Sequence, residues 1–167
     1  MIYSVIIFIR NKLYDFEILK SHKISKPVIS IGNITTGGTG KTPLTIIISE
    51  YYLSKGKKVG IISRGYGRKS KDIVVVCDGD KIIQDTEIAG DELILISNHL
   101  IKKYKSGFSA AAGIDRVKAA EILISKFNPD VIILDDAFQN RRIKRDADIL
   151  IIDSKDCENI DKALKKY

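Results

Sequence analysis

A glycine- and threonine-rich segment, residues 35–42, constrains the fold of this chain more than any other feature of its sequence. It reads T-T-G-G-T-G-K-T, follows the apolar run 28–31, and precedes a stretch with the composition of a helix. Glycines allow backbone N–H groups to turn toward an anion, and the following helix adds the positive end of its dipole. A strand, this loop and a helix in that order predict an α/β fold with a phosphate-binding loop.

The segment nearly matches the P-loop pattern G-x-x-x-x-G-K-[ST], with a threonine in place of the first glycine. In such loops the lysine, here Lys41, contacts the β- and γ-phosphates, and the hydroxyl of Thr42 binds Mg²⁺. We therefore predict a site for ATP with Mg²⁺, in preference to a glycine-rich turn without a ligand. The predicted nucleotide-binding residues are Thr35, Thr36, Gly37, Gly38, Thr39, Gly40, Lys41 and Thr42.

Short apolar runs alternate with helical stretches from residue 27 onward, a pattern typical of a parallel sheet covered by helices. The predicted strands are 28–31, 59–63, 131–134 and 149–152, and the predicted helices are 42–55, 92–103 and 115–126. Residues 73–77 and 81–84 flank Asp78-Gly79 and predict a β-hairpin. The expected fold class is α/β, a P-loop NTPase-type, mostly parallel sheet flanked by helices, with an N-terminal hydrophobic helix.

Polar clusters follow several of these strands, and ligands bind beyond the carboxyl ends of parallel strands. Asp135 and Asp136 come directly after the run 131–134 and have the form of a Walker B element, which can hold Mg²⁺ directly or through water. An acidic residue in this place can also cap the next turn. Together with the P-loop, the pair predicts a magnesium site formed by Thr42, Asp135 and Asp136.

Two further polar stretches have a functional and a structural interpretation. Asp91 and Glu92 follow Gly90 at the start of a predicted helix, where acidic residues also complement the helix dipole. Tyr66 lies among basic residues that form either a binding patch or a solvated loop. These basic residues are Arg64, Arg68, Lys69 and Lys71.

The net charge of +7 favours an anionic partner: a nucleotide, a nucleic acid or an anionic membrane surface. Residues 1–9 are apolar, but the run is far shorter than the roughly 20 residues that span a bilayer. It is either a helix docked on its own domain or a helix lying in the membrane interface. Cys77 and Cys157 are too isolated for a zinc site or disulfide framework, and Cys77 is expected in the core.

The ordered motifs together resemble the tetraacyldisaccharide 4'-kinases of lipid A biosynthesis. The resemblance rests on the run 27–36 leading into G-G-T-G-K-T-P, on S-R-G-Y-G at 63–67, on the triplet Gly90-Asp91-Glu92, and on D-D-A-F-Q at 135–139. It extends from residue 1 to about Asp153 and includes the N-terminal apolar segment.

The resemblance implies transfer of the γ-phosphate of ATP to the 4'-hydroxyl of tetraacyldisaccharide 1-phosphate. Asp91 is then the catalytic base, assisted by a histidine from the second half of the family's proteins, and Lys41 is the second catalytic residue. Ser63, Tyr66 and Glu92 are expected near the lipid disaccharide. The expected partners are this lipid and an anionic membrane surface, at the cytoplasmic face of the bacterial inner membrane. Neither a nucleic acid nor an obligate protein partner is expected.

The resemblance also predicts the organisation of the chain. Residues 1–24 are expected to form the hydrophobic, membrane-interface helix, and residues 25–167 the nucleotide-binding domain, without the family's second lobe. Two alternatives remain open: a truncated, non-catalytic ATP-binding module, and a partitioning-type P-loop ATPase. The second is disfavoured because Thr36 stands where those ATPases usually have lysine.

Overall fold

The computed structural model describes residues 2–33, 40–68 and 72–152. Helices and strands alternate along these ranges. In chain order the elements are α1 (Ile2–Asp15), β1 (Val28–Asn33), α2 (Lys41–Ser54), β2 (Val59–Ser63), β3 (Val74–Cys77), α3 (Thr86–Ala89), α4 (Asp91–Tyr104), β4 (Phe108–Ala112), α5 (Arg116–Phe127), β5 (Val131–Leu134) and β6 (Ala147–Ile151).

The described strands form one sheet with the order β3-β4-β2-β5-β1-β6. Every pairing is parallel except that of the edge strand β3, which runs antiparallel to β4. The predicted α/β class with a mostly parallel sheet is therefore confirmed. Since β2, β5 and β1 are adjacent, the segments that follow them meet at one edge of the sheet.

Helices cover both faces of the sheet. On one face α2 and α4 pack through residues such as Leu53 and Leu93, and on the other face α5 packs through residues such as Leu123. Every residue of β2, β4 and β5 is buried. Strands covered on both sides need apolar residues at every position, which explains the continuous runs in the sequence.

Two details of the sequence prediction need correction. The strand Phe108–Ala112 was not predicted, because its sequence F-S-A-A-A is poor in the β-branched residues that favour strands. The predicted hairpin forms its turn, but its second arm, residues 81–84, makes only an isolated bridge between Cys77 and Ile82. The strand Val74–Cys77 pairs instead with β4. Cys77 is fully buried, as expected of a core residue.

Helix α1 is fastened at its carboxyl half to the segment that follows Asp136. Arg141 donates to the carbonyl of Asn11 at 3.0 Å and forms an ion pair with Asp15 at 2.8 Å. Arg10 donates to the carbonyl of Gln139 at 3.2 Å. None of the helices described is long and apolar enough to cross a membrane.

Candidate nucleotide-binding site

The described part of the phosphate-binding loop begins at Gly40, the N-cap of α2. Gly40 has φ 87°, a left-handed conformation that glycine adopts without strain. Lys41 and Thr42 then form the first turn of α2. The predicted residues Thr35, Thr36, Gly37, Gly38 and Thr39 lie outside the described residues.

Lys41 lies between β1 and the end of β5. Its ammonium group donates to Oδ1 of Asn33 at 3.2 Å and lies 3.6 Å from Oδ1 of Asp136. The Lys41 side chain is only 16% exposed, whereas that of Asp136 is 52% exposed. The structure therefore brings the predicted P-loop lysine and the second predicted carboxylate into direct contact.

Asp135 is buried beneath α2. Its Oδ1 accepts a hydrogen bond from the Thr45 hydroxyl at 2.8 Å, and its backbone N–H donates to the carbonyl of Ile62 at 2.8 Å. Burial raises the pKa of Asp135 to about 6, and the negative charges of Glu92 and Asp136 act in the same direction. The Thr45 hydrogen bond and the charge of Lys41 partly oppose this rise. Such an environment favours a bound cation, which would stabilise the ionised carboxylate.

The segment after the two aspartates crosses β1 closely. Asp136 adopts a left-handed conformation, with φ 51°, and the N–H of Ala137 donates to the carbonyl of Ile31 at 3.1 Å. A Cβ atom on Gly32 would collide with Phe138, so this crossing requires a glycine in β1. The crossing fixes the carboxylate pair beside the strand that leads into the P-loop.

The loop after β2 packs against the start of α4. Gly90 has φ 88°, and a Cβ atom added to it would lie 2.9 Å from the Cα of Gly65. Both a left-handed conformation and a close contact therefore require glycine here. Ser63 is buried, and its hydroxyl accepts a hydrogen bond from the N–H of Gly65 at 3.3 Å.

The other residues predicted to lie near the phosphate acceptor face solvent. Tyr66 is 86% exposed, and Asp91 and Glu92 are exposed in the first turn of α4. Glu92 lies close enough to Asp135 for its charge to raise the pKa of that carboxyl group. The start of α4 therefore borders the same end of the sheet as the P-loop lysine.

Two arginines near the site, the buried Arg116 and the partly exposed Arg68, have contacts that the sequence analysis did not predict. Arg116 is 3% exposed, donates to the carbonyl of Gly113, and lies in the field of Asp135 and Asp136. Burial lowers its pKa to about 10. Arg116 comes shortly after β4 in the chain. Because that strand was not predicted, the sequence did not indicate that Arg116 lies near the site.

The second arginine, Arg68, belongs to the basic residues that the sequence assigns either to a binding patch or to a solvated loop. Its guanidinium instead donates to the carbonyls of Asp72 at 2.6 Å and Ala112 at 3.4 Å, which ties the loop to the end of β4. Lys69 and Lys71 of that patch lie outside the described residues.

The chemistry of the residues present fits a magnesium ion. Oδ2 of Asp135 is buried and has no hydrogen-bond partner within residues 2–33, 40–68 and 72–152. A buried carboxylate oxygen without a donor is costly, and oxygen ligands of this type suit Mg²⁺. Thr42, on α2, supplies a hydroxyl one turn before Thr45.

The sheet order, the lysine that opens α2 and the buried aspartate that follows β5 define an α/β fold of the P-loop NTPase type. A family model described as Tetraacyldisaccharide-1-P 4'-kinase matches residues 1–162, and the chain belongs to this family.

Relatives and a solved structure agree with this assignment. The tetraacyldisaccharide 4'-kinase of Chlorobaculum parvum is 40% identical over 98% of this chain and 45% of its own length. That of Halothermothrix orenii is 42% identical over 91% of this chain and 38% of its own length. The crystal structure of "apo" form LpxK from Aquifex aeolicus in complex with ATP has a TM-score of 0.83 and 41% identity, and the match covers 94% of this chain and 48% of that one. This chain thus spans less than half the length of the relatives named here.

Proposed function

We propose that this chain forms the nucleotide-binding part of a kinase that transfers the γ-phosphate of ATP to the 4'-hydroxyl of tetraacyldisaccharide 1-phosphate, forming lipid IVA. The contact between Lys41 and Asp136 beside the buried Asp135 carries the proposal. It brings the lysine proposed to bind phosphate and the two carboxylates proposed to bind the metal ion to the carboxyl ends of adjacent strands. The Aquifex aeolicus structure, solved in complex with ATP, supports ATP as the nucleotide.

On the nucleotide side, residues 35–42 would hold the phosphates through backbone N–H groups, and Lys41 would place its charge at the β- and γ-phosphates. Thr42, Asp135 and Asp136 would hold Mg²⁺, directly or through water. When bound, the metal ion would neutralise the charge on the phosphate oxygens.

On the acceptor side, we assign Asp91 as the general base. Its carboxylate would take the proton of the 4'-hydroxyl as the sugar oxygen forms a bond to the γ-phosphorus and the bond to the ADP oxygen breaks. Ser63, Tyr66 and Glu92 would line the acceptor side of the same site. Asp91 and Glu92 are exposed at the start of α4, where a substrate can reach them.

For localisation, we propose a peripheral position at the cytoplasmic face of the inner membrane, with residues 1–24 as the membrane-interface segment and residues 25–167 as the nucleotide-binding domain. Helix α1 exposes Ile6, Phe8 and Ile9, each by more than half. Lys12 lies 5.8 Å from the centre of the Phe8 ring. An apolar surface with adjacent basic residues suits the interface of an anionic bilayer.

Phosphate transfer from γ-labelled ATP to the lipid disaccharide tests the proposed reaction. We would measure it for this chain alone and for this chain joined to the second half of a relative. Asp91→Ala in the joined protein should lower turnover by about 10²–10⁴-fold, the usual contribution of a general base. A joined protein that binds ATP but transfers no phosphate would instead support a nucleotide-binding module. Full activity of the joined protein with Asp91→Ala would show that Asp91 is not the general base and only complements the dipole of α4.

Sedimentation with anionic vesicles tests the membrane proposal. Ile6→Glu places a charge on the exposed face of α1, whereas Ile47→Glu changes an equally exposed isoleucine on α2; the two are 58% and 60% exposed. The proposal predicts that only Ile6→Glu reduces binding to the vesicles. Equal binding by the parent and both variants would contradict it.

A further inference from the structure

Thr45 contacts the carboxylate pair from the second turn of α2. Its side chain is fully buried, and its hydroxyl donates to Oδ1 of Asp135 at 2.8 Å. The sequence pattern of a P-loop ends at Thr42 and gives no role to a residue three positions further on. Residues three apart on a helix share a face, so Thr42 and Thr45 lie on the same side of α2.

The hydrogen bond from Thr45 makes the two carboxylate oxygens of Asp135 different from each other. Oδ1 is occupied by the Thr45 hydroxyl, whereas Oδ2 is buried and has no hydrogen-bond partner in the described part of the chain. The backbone of Asp135 is held independently, by its hydrogen bond to the carbonyl of Ile62. The Thr45 bond therefore determines which carboxylate oxygen remains available.

We propose that Thr45 is a positioning residue for the metal site: its hydroxyl orients Asp135 so that Oδ2 binds Mg²⁺ or a water molecule of the Mg²⁺ shell. This inference rests on the proposed function, because it takes Mg-ATP as the ligand. It assigns the orienting hydrogen bond to Thr45 and leaves the hydroxyl of Thr42 for the metal ion. Groups that orient a metal-binding carboxylate commonly change metal affinity when they are removed.

Three variants separate this role from general packing. Thr45→Val keeps the branched shape and removes the hydroxyl, and Thr45→Ser keeps the hydroxyl. Ser49→Ala is the matched control, since Ser49 is also fully buried on α2 but donates to the carbonyl of Thr45, at 2.7 Å, rather than to Asp135. Circular dichroism and thermal unfolding would compare the folding of all variants with that of the parent chain.

The measurement is the affinity for a fluorescent ATP analogue, titrated in EDTA and then at increasing Mg²⁺. Thr45→Val should shift the Mg²⁺ concentration for half-maximal enhancement upward by about tenfold and leave the affinity in EDTA unchanged. Thr45→Ser and Ser49→Ala should match the parent.

An unchanged Mg²⁺ dependence in Thr45→Val would overturn the inference while the proposed function stands. An equal loss of affinity with and without Mg²⁺ would also overturn it, since that result indicates a purely structural role. A parent chain whose ATP binding does not respond to Mg²⁺ would contradict the proposed metal site itself, and the positioning role with it.

Discussion

The two sides of the candidate site are built differently. On the phosphate side, Lys41 and Asp135 are held by named partners within the fold, and Asp135 is 1% exposed. On the acceptor side, Asp91 and Glu92 are exposed, and Tyr66 is 86% exposed. The glycines at 65 and 90 hold the acceptor-side backbone together, while these side chains extend outward.

This difference is consistent with the two ligands that we propose for the site. A phosphate group is small and the same in every cycle, so a rigid, prearranged site binds it with little loss of conformational entropy. The proposed acceptor, a large lipid, would need an open surface that further groups can complete. Changes on the phosphate side should therefore alter stability and nucleotide binding, and changes to the exposed side chains of the acceptor side should leave both nearly unaltered.

The largest effect on stability is expected from Arg116. Arg116→Ala removes a buried guanidinium that lies in the field of Asp135 and Asp136, and leaves the carbonyl of Gly113 without this donor. We expect a loss of about 2–5 kcal/mol in the free energy of unfolding, typical of truncating a large buried side chain to alanine. Urea unfolding measures this. The control Lys118→Ala, at an exposed position of α5, should change it by less than about 0.5 kcal/mol. Equal urea midpoints for Arg116→Ala and Lys118→Ala would contradict the claim that the phosphate side is the more important side for stability.

A smaller effect, dependent on pH, is expected from Asp135. Its folded-state pKa of about 6 lies above the ordinary value of 3.8, so the folded chain holds this proton more tightly than the unfolded chain. The contribution of Asp135 to stability should therefore fall as pH rises from about 4 to about 6. Above that range its ionisation costs on the order of 2–3 kcal/mol in the metal-free protein.

Asp135→Asn removes this ionisation and keeps an oxygen that can accept from Thr45. With a chelator present, the variant should be more stable than the parent above pH 6, and the difference should disappear near pH 4. Denaturant unfolding across this range measures the difference. Asp136→Asn is the control, because the Asp136 side chain is half exposed. If the free energy of unfolding of Asp135→Asn and of the parent changed with pH in the same way, burial would not raise the pKa of Asp135.

The smallest effect is expected from Tyr66. Tyr66→Ala changes an almost fully exposed side chain, so the free energy of unfolding should stay within about 0.5 kcal/mol of the parent. Affinity for ATP should also be unchanged, and only transfer to the lipid disaccharide should suffer. A loss of stability several times larger would show that this loop is a structural part of the phosphate side.

Much of this arrangement could be predicted from the sequence, because buried parallel strands impose continuous apolar runs. The strands at 59–63 and 131–134 were predicted with their observed bounds. The alanine-rich strand Phe108–Ala112 could not be found in this way, since small residues suit a crowded sheet interior but carry little strand preference.

The candidate site also combines contacts that the sequence predicts with contacts that it does not. The contact between Lys41 and Asp136 follows from a P-loop and an acidic pair after adjacent strands. The hydrogen bond from Thr45 to Asp135 does not, because it depends on how α2 packs on the sheet and not on any local pattern. Arg116 was overlooked for a related reason, since its neighbours come from the ends of strands far apart in the chain.

Titration with a fluorescent ATP analogue in the presence of Mg²⁺ tests the central claim, that Lys41 binds the phosphates of a nucleotide at this edge of the sheet. A charge-assisted contact contributes about 1.5–3 kcal/mol, and about 1.4 kcal/mol corresponds to a factor of ten. Lys41→Ala should therefore weaken binding at least tenfold, whereas Lys55→Ala, at the opposite end of α2, should bind like the parent. Equal binding by Lys41→Ala and the parent would contradict the assignment of this site.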